Sequence, residues 1–268
     1  MSSTAKKLIN DSSESAFEIS FPKNSNDLDQ HEEWFEYWDD GERRKLRIHD
    51  YADLFSREGL YEALVYEMLE CHSPAELAAL FSSALADRDE AVSQLRILDL
   101  GAGNGMVAEE FIASGAKHCV GIDLLDEARA AAERDRPGIY QDYLVADLCN
   151  LEERDRRTLD EHRLNCLLTV AALGFGDIPP QAFATAFNAL TWEGWLGMTI
   201  KEDFLTADDP SGFAALIKAM IDNNVVDALA TKRYRHRLSV AGEPIYYIAL
   251  VARKNRDIPA ETVQQLGD

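Results

Sequence analysis

The apolar positions of this chain form short runs that are separated by helical segments through its central part. Each run shows little polar alternation, which is typical of parallel strands covered on both faces. Apolar residues recur at three- and four-residue spacing between the runs, so the pattern predicts right-handed strand–helix units. The runs predicted as five parallel strands are 95–100, 119–123, 143–147, 165–171 and 194–200.

Two later runs predict a closing hairpin. Residues 233–240 and 245–253 face each other across Ala241-Gly242-Glu243-Pro244, whose composition favours a turn. The chain is therefore expected to form a doubly wound α/β fold with a mostly parallel seven-stranded sheet and a terminal antiparallel β-hairpin. Residues 256–268 are polar and are expected to form a frayed C-terminal tail.

The amino-terminal part follows another pattern. Residues 1–29 are rich in Ser, Asn, Asp and Lys and predict a flexible tail. In residues 30–88 the apolar side chains, beginning with Trp34 and Trp38, recur at helical spacing, which predicts an extension made of helices. The main domain is then expected to span residues 89–255.

A glycine-rich loop follows the first predicted strand. Asp99 interrupts an apolar run at its carboxyl end, and Gly101, Gly103 and Gly105 follow at alternate positions. Glycines let a backbone turn tightly and let a ligand approach main-chain atoms. Ligands bind at the carboxyl ends of strands in open α/β sheets, so a ligand site is expected here.

The next two predicted strands also end in acids, Asp123 and Asp147. If the strands are parallel neighbours, Asp99 and these two carboxylates meet at one edge of the sheet. A carboxylate at such a position can accept hydrogen bonds from both ribose hydroxyls. The pattern predicts a nucleoside site.

With these motifs, residues 95–254 resemble the class I, Rossmann-like methyltransferases that use S-adenosylmethionine. Asp99–Gly105 matches the glycine motif of that family. The segments Arg136–Tyr140 and Ala171–Pro180 resemble most closely the Williams-Beuren-region methyltransferase-like group.

The resemblance implies roles for individual residues. Asp123 would bind the ribose, and Asp147, with Leu148 beside it, would receive the adenine amino group. The full set of expected cofactor-binding residues is Asp99, Gly101, Ala102, Gly103, Asn104, Gly105, Met106, Asp123, Leu124, Asp147, Leu148, Val170 and Tyr51.

The resemblance also implies that the amino-terminal helices form a lid over the cofactor. Tyr51 and Trp38 are then candidates for cation–π contact with the sulfonium or the substrate. Equally, both can be core aromatics that hold the helices together.

NAD binding is the main competing use of such a loop. The nicotinamide fingerprint places its third glycine at the position of Met106, whereas this chain has Gly105. Classical NAD-binding folds also lack the closing hairpin, so both features favour the methyl donor.

Composition limits the partners. With 48 acidic and 27 basic residues the net charge is −21, which repels phosphate backbones and anionic lipid. We therefore expect a small-molecule substrate and neither nucleic acid nor membrane as a partner. No apolar run is long enough for a membrane span and no signal segment is recognisable, so a cytoplasmic protein is expected.

Metal and thiol chemistry have little support in the sequence. The six histidines and four cysteines form neither H-x-x-x-H nor C-x-x-C clusters, so no metal is expected and the cysteines are expected to be reduced.

The expected activity is methyl transfer from S-adenosylmethionine to O, N or C of a small molecule. The alternative is a non-catalytic domain that binds S-adenosylmethionine and regulates a partner. Methyl transfer needs no catalytic base, and none is assigned; the candidates, if one exists, are His49, Asp177, Glu202, Asp203 and His236.

Overall fold

A computed structural model describes residues 17–23, 28–206 and 209–266. The chain divides into two compact units. The first contains the described residues up to His72 together with 235–245, and the second contains 73–234 and 246–266. Most of the predicted amino-terminal tail lies outside the described residues.

A small antiparallel sheet opens the first unit. It consists of β1 (Ile19–Ser20), β2 (Trp34–Asp39) and β3 (Glu42–Arg47) in that order. The helical prediction for β2 and β3 was therefore wrong. Asp40 and Gly41, both at positive φ, make the tight turn between them, and an Asp-Gly pair is a strong hairpin signal.

Helices follow this sheet within the first unit. They are α1 (Tyr51–Ser56) and α2 (Leu60–Glu62), which continues as a π-helical turn over Ala63–Met68. Leu54, Leu60 and Leu64 join Phe35 of β2 in one buried cluster. The expected purely helical extension is thus corrected to a hairpin followed by helices.

The second unit is built on a seven-stranded sheet. Its order is β6-β5-β4-β7-β8-β10-β9, with five parallel strands and β10 antiparallel to β8. The strands are β4 (Arg96–Leu100), β5 (His118–Asp123), β6 (Asp142–Val145), β7 (Cys166–Thr169), β8 (Trp195–Lys201), β9 (Val226–Leu238) and β10 (Pro244–Lys254). This confirms the predicted mostly parallel α/β sheet and its closing hairpin.

Helices cover both faces of this sheet. Leu196, Met198 and Ile200 of β8 point into one core, whereas Gly197 lies against Phe81 on the opposite face. The helices are α3 (Ser73–Ala86), α4 (Met106–Ala113), α5 (Asp126–Asp135), α6 (Glu153–His162), α7 (Pro180–Asn188), α8 (Phe213–Asp222) and α9 (Ala260–Gln264).

Helix α9 corrects the expectation of a frayed C-terminal tail. Ile258 and Val263 are buried in the core, and the Asn188 side chain bonds to the backbone of Ile258. Two apolar side chains in a polar segment were enough to dock it.

Candidate functional site

The glycine loop joins β4 to α4 at the carboxyl edge of the sheet. Gly101, Gly103 and Gly105 all have positive φ, of 72°, 51° and 92°. A Cβ on Gly101 would lie 2.9 Å from Cβ of Ala172, and one on Gly105 would meet Ile139. These two glycines therefore make room for neighbouring protein side chains, a reason that differs from the ligand approach inferred from sequence.

Asp123, at the end of β5, is tied to this loop. Its carboxylate accepts from the Gly103 amide at 3.0 Å and from the Leu125 amide at 3.1 Å. Burial raises the pKa of Asp123, and these backbone donors oppose the rise. The Leu124 amide is a third backbone donor to Asp123. The two oxygens of a carboxylate offer about four lone-pair positions, so Asp123 can still accept from a ligand hydroxyl.

Asp99 is completely buried at the end of β4. Its Oδ2 accepts from the Tyr140 hydroxyl at 2.7 Å, while Oδ1 has no hydrogen-bond partner among the described residues. Burial raises the pKa of Asp99 to about 7; the Tyr140 hydrogen bond opposes this rise and the nearby Asp123 charge adds to it. A buried acceptor without a donor lowers the stability of the fold, and a ligand that supplies a donor would remove this cost.

Three side chains from the segment after α5 and from β6 contact consecutive carbonyls of the glycine loop. Tyr143 donates to Gly103 O at 2.9 Å and Arg136 to Asn104 O at 3.2 Å, while the Tyr140 hydroxyl, whose proton goes to Asp99, lies 3.4 Å from Ala102 O. We call Arg136, Tyr140 and Tyr143 the loop brace. Sequence reasoning noticed residues 136–140 only as a family resemblance and missed this role.

The remaining predicted residues of the loop lie inside the same network. Ala102 and Asn104 are buried, and Asn104 Nδ2 lies 3.5 Å from a carboxylate oxygen of Asp135. Met106 begins α4, and its sulfur contacts the Arg136 guanidinium. The predicted loop residues are therefore held together by protein contacts before any ligand is considered.

Leu124 and Asp147 present their side chains at the surface. Leu124, next to Asp123, is 58% exposed, which is unusual for a leucine and leaves an apolar face for a ligand. Asp147 follows β6 and accepts from the Cys149 amide and the Asn150 side chain, both at 2.8 Å. The Asn150 hydrogen bond is the main cause that lowers the pKa of Asp147, so it is a carboxylate at neutral pH.

Leu148, Val170 and Tyr51 have different surroundings. Leu148 is only 4% exposed and its side chain belongs to the core, whereas Val170 follows β7 and is half-buried. Tyr51 lies in the first unit, beside the rings of His49 and Phe55. Their contribution to cofactor binding stays a prediction.

The loop after β7 packs on the glycine loop through Ala172 and Ile178, which face Gly101. It carries Asp177, whose pKa is raised by burial and by the charge of Asp123. This electrostatic effect requires the two carboxyl groups to be near each other. Asp177 is thus the one candidate base that the structure relates to Asp123.

The other candidate bases are engaged elsewhere. Glu202 pairs with Arg233 and Asp203 with Lys201 in exposed ion pairs. His49 and His236 lie in the first unit. Burial is the main cause that lowers the pKa of His49 to about 4 and that of His236 well below its usual value.

No group of three or more His, Cys, Asp or Glu side chains in the described part of the chain could hold a metal ion. None of its helices is long and apolar enough to cross a membrane.

Residues 98–197 match the family model for a methyltransferase domain. No curated protein matches the chain. Among solved structures, a candidate RNA methyltransferase from Pyrococcus horikoshii is 15% identical, with 68% of this chain and 84% of that chain covered and a TM-score of 0.50. Magnesium protoporphyrin IX methyltransferase from Synechocystis, with bound S-adenosylmethionine, is 14% identical, with coverages of 68% and 79% and a TM-score of 0.46. An S-adenosylmethionine-dependent methyltransferase from Mesorhizobium loti is 18% identical, with coverages of 64% and 96% and a TM-score of 0.45.

The matched range contains the glycine loop, Asp123 and the loop after β7. The likeness to the Pyrococcus structure supports the Rossmann-like fold. Residues 98–197 therefore form a methyltransferase domain, and the protein is a methyltransferase.

Proposed function

We propose that the protein transfers the methyl group of S-adenosylmethionine to a small-molecule acceptor. The observation that carries this proposal is the tie between Gly103 and Asp123, which holds a carboxylate beside a braced glycine loop. A nucleoside ligand would find both a backbone turn and a diol acceptor already in place.

Within this proposal each residue has a separate task. Asp123 accepts from the ribose hydroxyls, and the exposed side chain of Leu124 offers an apolar face to the adenine. Asp147 receives the adenine amino group from its exposed position after β6. Asp99 and the glycine loop bind the amino-acid part of the donor; the support is the buried Oδ1 of Asp99, to which no described residue donates.

For methyl transfer the protein mainly has to align the donor with the acceptor. The sulfonium of S-adenosylmethionine supplies an activated methyl group for an in-line displacement. The chain positions the donor and excludes water around it. Where the acceptor must lose a proton, Asp177 is the residue we propose for that role, because burial and the charge of Asp123 raise its pKa and so make its carboxylate a stronger proton acceptor.

The small size of the acceptor is inferred from charge. A net charge of −21 opposes the approach of a polyanion such as RNA, whose binding depends on cationic side chains. We also propose that the protein acts in the cytoplasm.

Within the class, we propose membership of the Williams-Beuren-region methyltransferase-like group. The supporting observation is that Arg136 and Tyr140, from the segment that carries this resemblance, contact the glycine loop. The division into a tail (1–29), an extension (30–88), a main domain (89–255) and a C-terminal segment (256–268), and the lid role of the extension with Tyr51, remain predictions.

The test is turnover. Purified protein would be incubated with S-adenosylmethionine labelled in its methyl group and a panel of small-molecule acceptors, and S-adenosylhomocysteine would be quantified. Acceptor-dependent product supports an enzyme that acts on small molecules. Tight donor binding without product for any acceptor, including RNA, would instead support the non-catalytic sensing alternative.

A further inference from the structure

The two oxygens of Asp99 have unequal surroundings. Oδ2 is held by the Tyr140 hydroxyl at 2.7 Å, whereas Oδ1 has no hydrogen-bond partner within the described residues. The whole side chain is buried, and a buried acceptor that has no donor is costly. One oxygen is thus fixed by the protein and the other is left to a ligand.

Tyr140 is placed by its ring as well as by its hydroxyl. Its ring lies edge-on to Tyr143, with centroids 5.3 Å apart, and a Cβ on Gly105 would contact it at 3.4 Å. The hydroxyl reaches Asp99 Oδ2 and also lies 3.4 Å from Ala102 O. Because the ring is packed, the hydroxyl has little freedom to release Asp99.

The groups around Asp99 favour a cationic partner for Oδ1. The charge of Asp123 acts on Asp99, and that of Asp99 acts on the thiols of Cys119 and Cys166; none of these groups is a cation. No cation within the part of the chain that the structure describes contributes to the pKa of Asp99. An ammonium group would provide both a donor and a compensating charge.

We infer that Tyr140 is a positioning residue that turns Asp99 so that Oδ1 accepts from the ammonium group of an amino-acid-bearing ligand. This inference rests on the proposed function, since the ligand is the donor or its product. Through Asp99, the Tyr140 hydroxyl then favours the binding of nucleosides that carry the free amino-acid part over nucleosides that lack it.

Tyr143 offers a matched control for Tyr140. It belongs to the same brace, its ring packs against that of Tyr140, and its hydroxyl donates at 2.9 Å to Gly103 O, a backbone atom. Tyr140→Phe and Tyr143→Phe each remove one hydroxyl and keep the ring. A purely structural role in holding the loop would make the two variants behave alike.

The experiment is isothermal calorimetry of the full chain with S-adenosylhomocysteine and with 5′-methylthioadenosine, which lacks the amino-acid part. Tyr140→Phe is expected to weaken S-adenosylhomocysteine about tenfold and to change methylthioadenosine less than twofold. Tyr143→Phe is expected to weaken both ligands by the same factor.

Equal weakening of both ligands by Tyr140→Phe, or no weakening of either, would overturn the inference. Failure of the wild-type protein to bind either ligand would instead count against the proposed function. If Tyr140→Phe does not fold, Asp99→Asn provides the same comparison, because its amide can keep the Tyr140 contact while placing a donor at the Oδ1 position. Asp99→Asn would then have to weaken S-adenosylhomocysteine selectively, and an unselective loss would refute the inference.

Discussion

The Gly103 amide donates to the Asp123 carboxylate, 20 residues further along the chain, at 3.0 Å. This bond joins the turn after β4 to the end of β5, which pair as parallel neighbours. The carboxylate is therefore fixed relative to the glycine loop by the protein itself. A ligand that uses both elements pays little to order them, which is the benefit of preorganisation.

Removing this carboxylate should damage binding. Asp123→Ala is expected to weaken S-adenosylmethionine by roughly ten- to a hundredfold, because charged hydrogen bonds contribute about 1.5–3 kcal/mol. Calorimetry would measure the loss. Asp126→Ala, an exposed acid three residues later, is the control and should bind as the wild type does. Unchanged affinity in Asp123→Ala would remove the ribose assignment.

The contact between Gly101 and the loop after β7 can be tested with a pair of alanine variants. Gly101→Ala would place a Cβ 2.9 Å from that of Ala172, whereas Gly242→Ala has a similar positive φ and open space around it. Both variants bear the cost of a left-handed residue. Gly101→Ala should lose about 1–3 kcal/mol more unfolding free energy, as overpacking does, and bind the donor more weakly. Equal stability losses in urea titrations would show that the two loops do not touch.

The buried Asp99 should lower stability as pH rises. Its folded-state pKa of about 7 lies above the 3.8 of a free aspartate, so between these values the native state holds a proton that the unfolded chain has released. Stability therefore falls through this window, by at most about 4 kcal/mol, and is constant above it. Asp99→Asn should have a higher Tm than the wild type at pH 8 and a smaller advantage at pH 4. A variant that melts lower at pH 8 would contradict this account.

A lysine far from the glycine loop should affect stability alone. Lys254 is buried at the end of β10, and its ammonium donates to Phe187 O and Leu190 O, both at 2.9 Å, and pairs with Asp257. Lys254→Met leaves those carbonyls without a donor and should cost about 2–4 kcal/mol of unfolding free energy. Lys218→Met, in an exposed pair, should cost less than 1 kcal/mol. Donor affinity, measured where each variant is folded, should stay at the wild-type value in both.

The sheet was predictable because strands that are buried on both faces consist of nearly continuous apolar residues, which are visible in the sequence. Apolar runs such as 95–100 and 194–200 locate β4 and β8 to within a residue or two of their bounds. The glycine loop and Asp123 were found for the same reason, since each follows directly from the end of such a run. Parallel neighbours then bring the strand ends together.

The hairpin of β2 and β3 was missed because its aromatic residues fit two periods. Trp34 and Trp38 suggest helical spacing, yet the buried residues are Phe35 and Tyr37, which alternate as in a strand. The Asp40-Gly41 turn was the signal that could have decided between them.

The loop brace could not be derived from sequence. Arg136, Tyr140 and Tyr143 lie 32 to 40 residues from the carbonyls that they contact. No periodicity or spacing encodes such long-range contacts. The position of a tyrosine just before a strand does not predict whether its side chain is buried or exposed. Tertiary packing alone gives these side chains their role.

The most direct measurement is isothermal calorimetry of the wild-type protein with S-adenosylmethionine, S-adenosylhomocysteine and NADH. Residues 98–197 and the tie between Gly103 and Asp123 predict micromolar binding of the first two ligands and none of NADH. Binding of NADH alone, or of no ligand by a protein that melts cooperatively, would contradict the account.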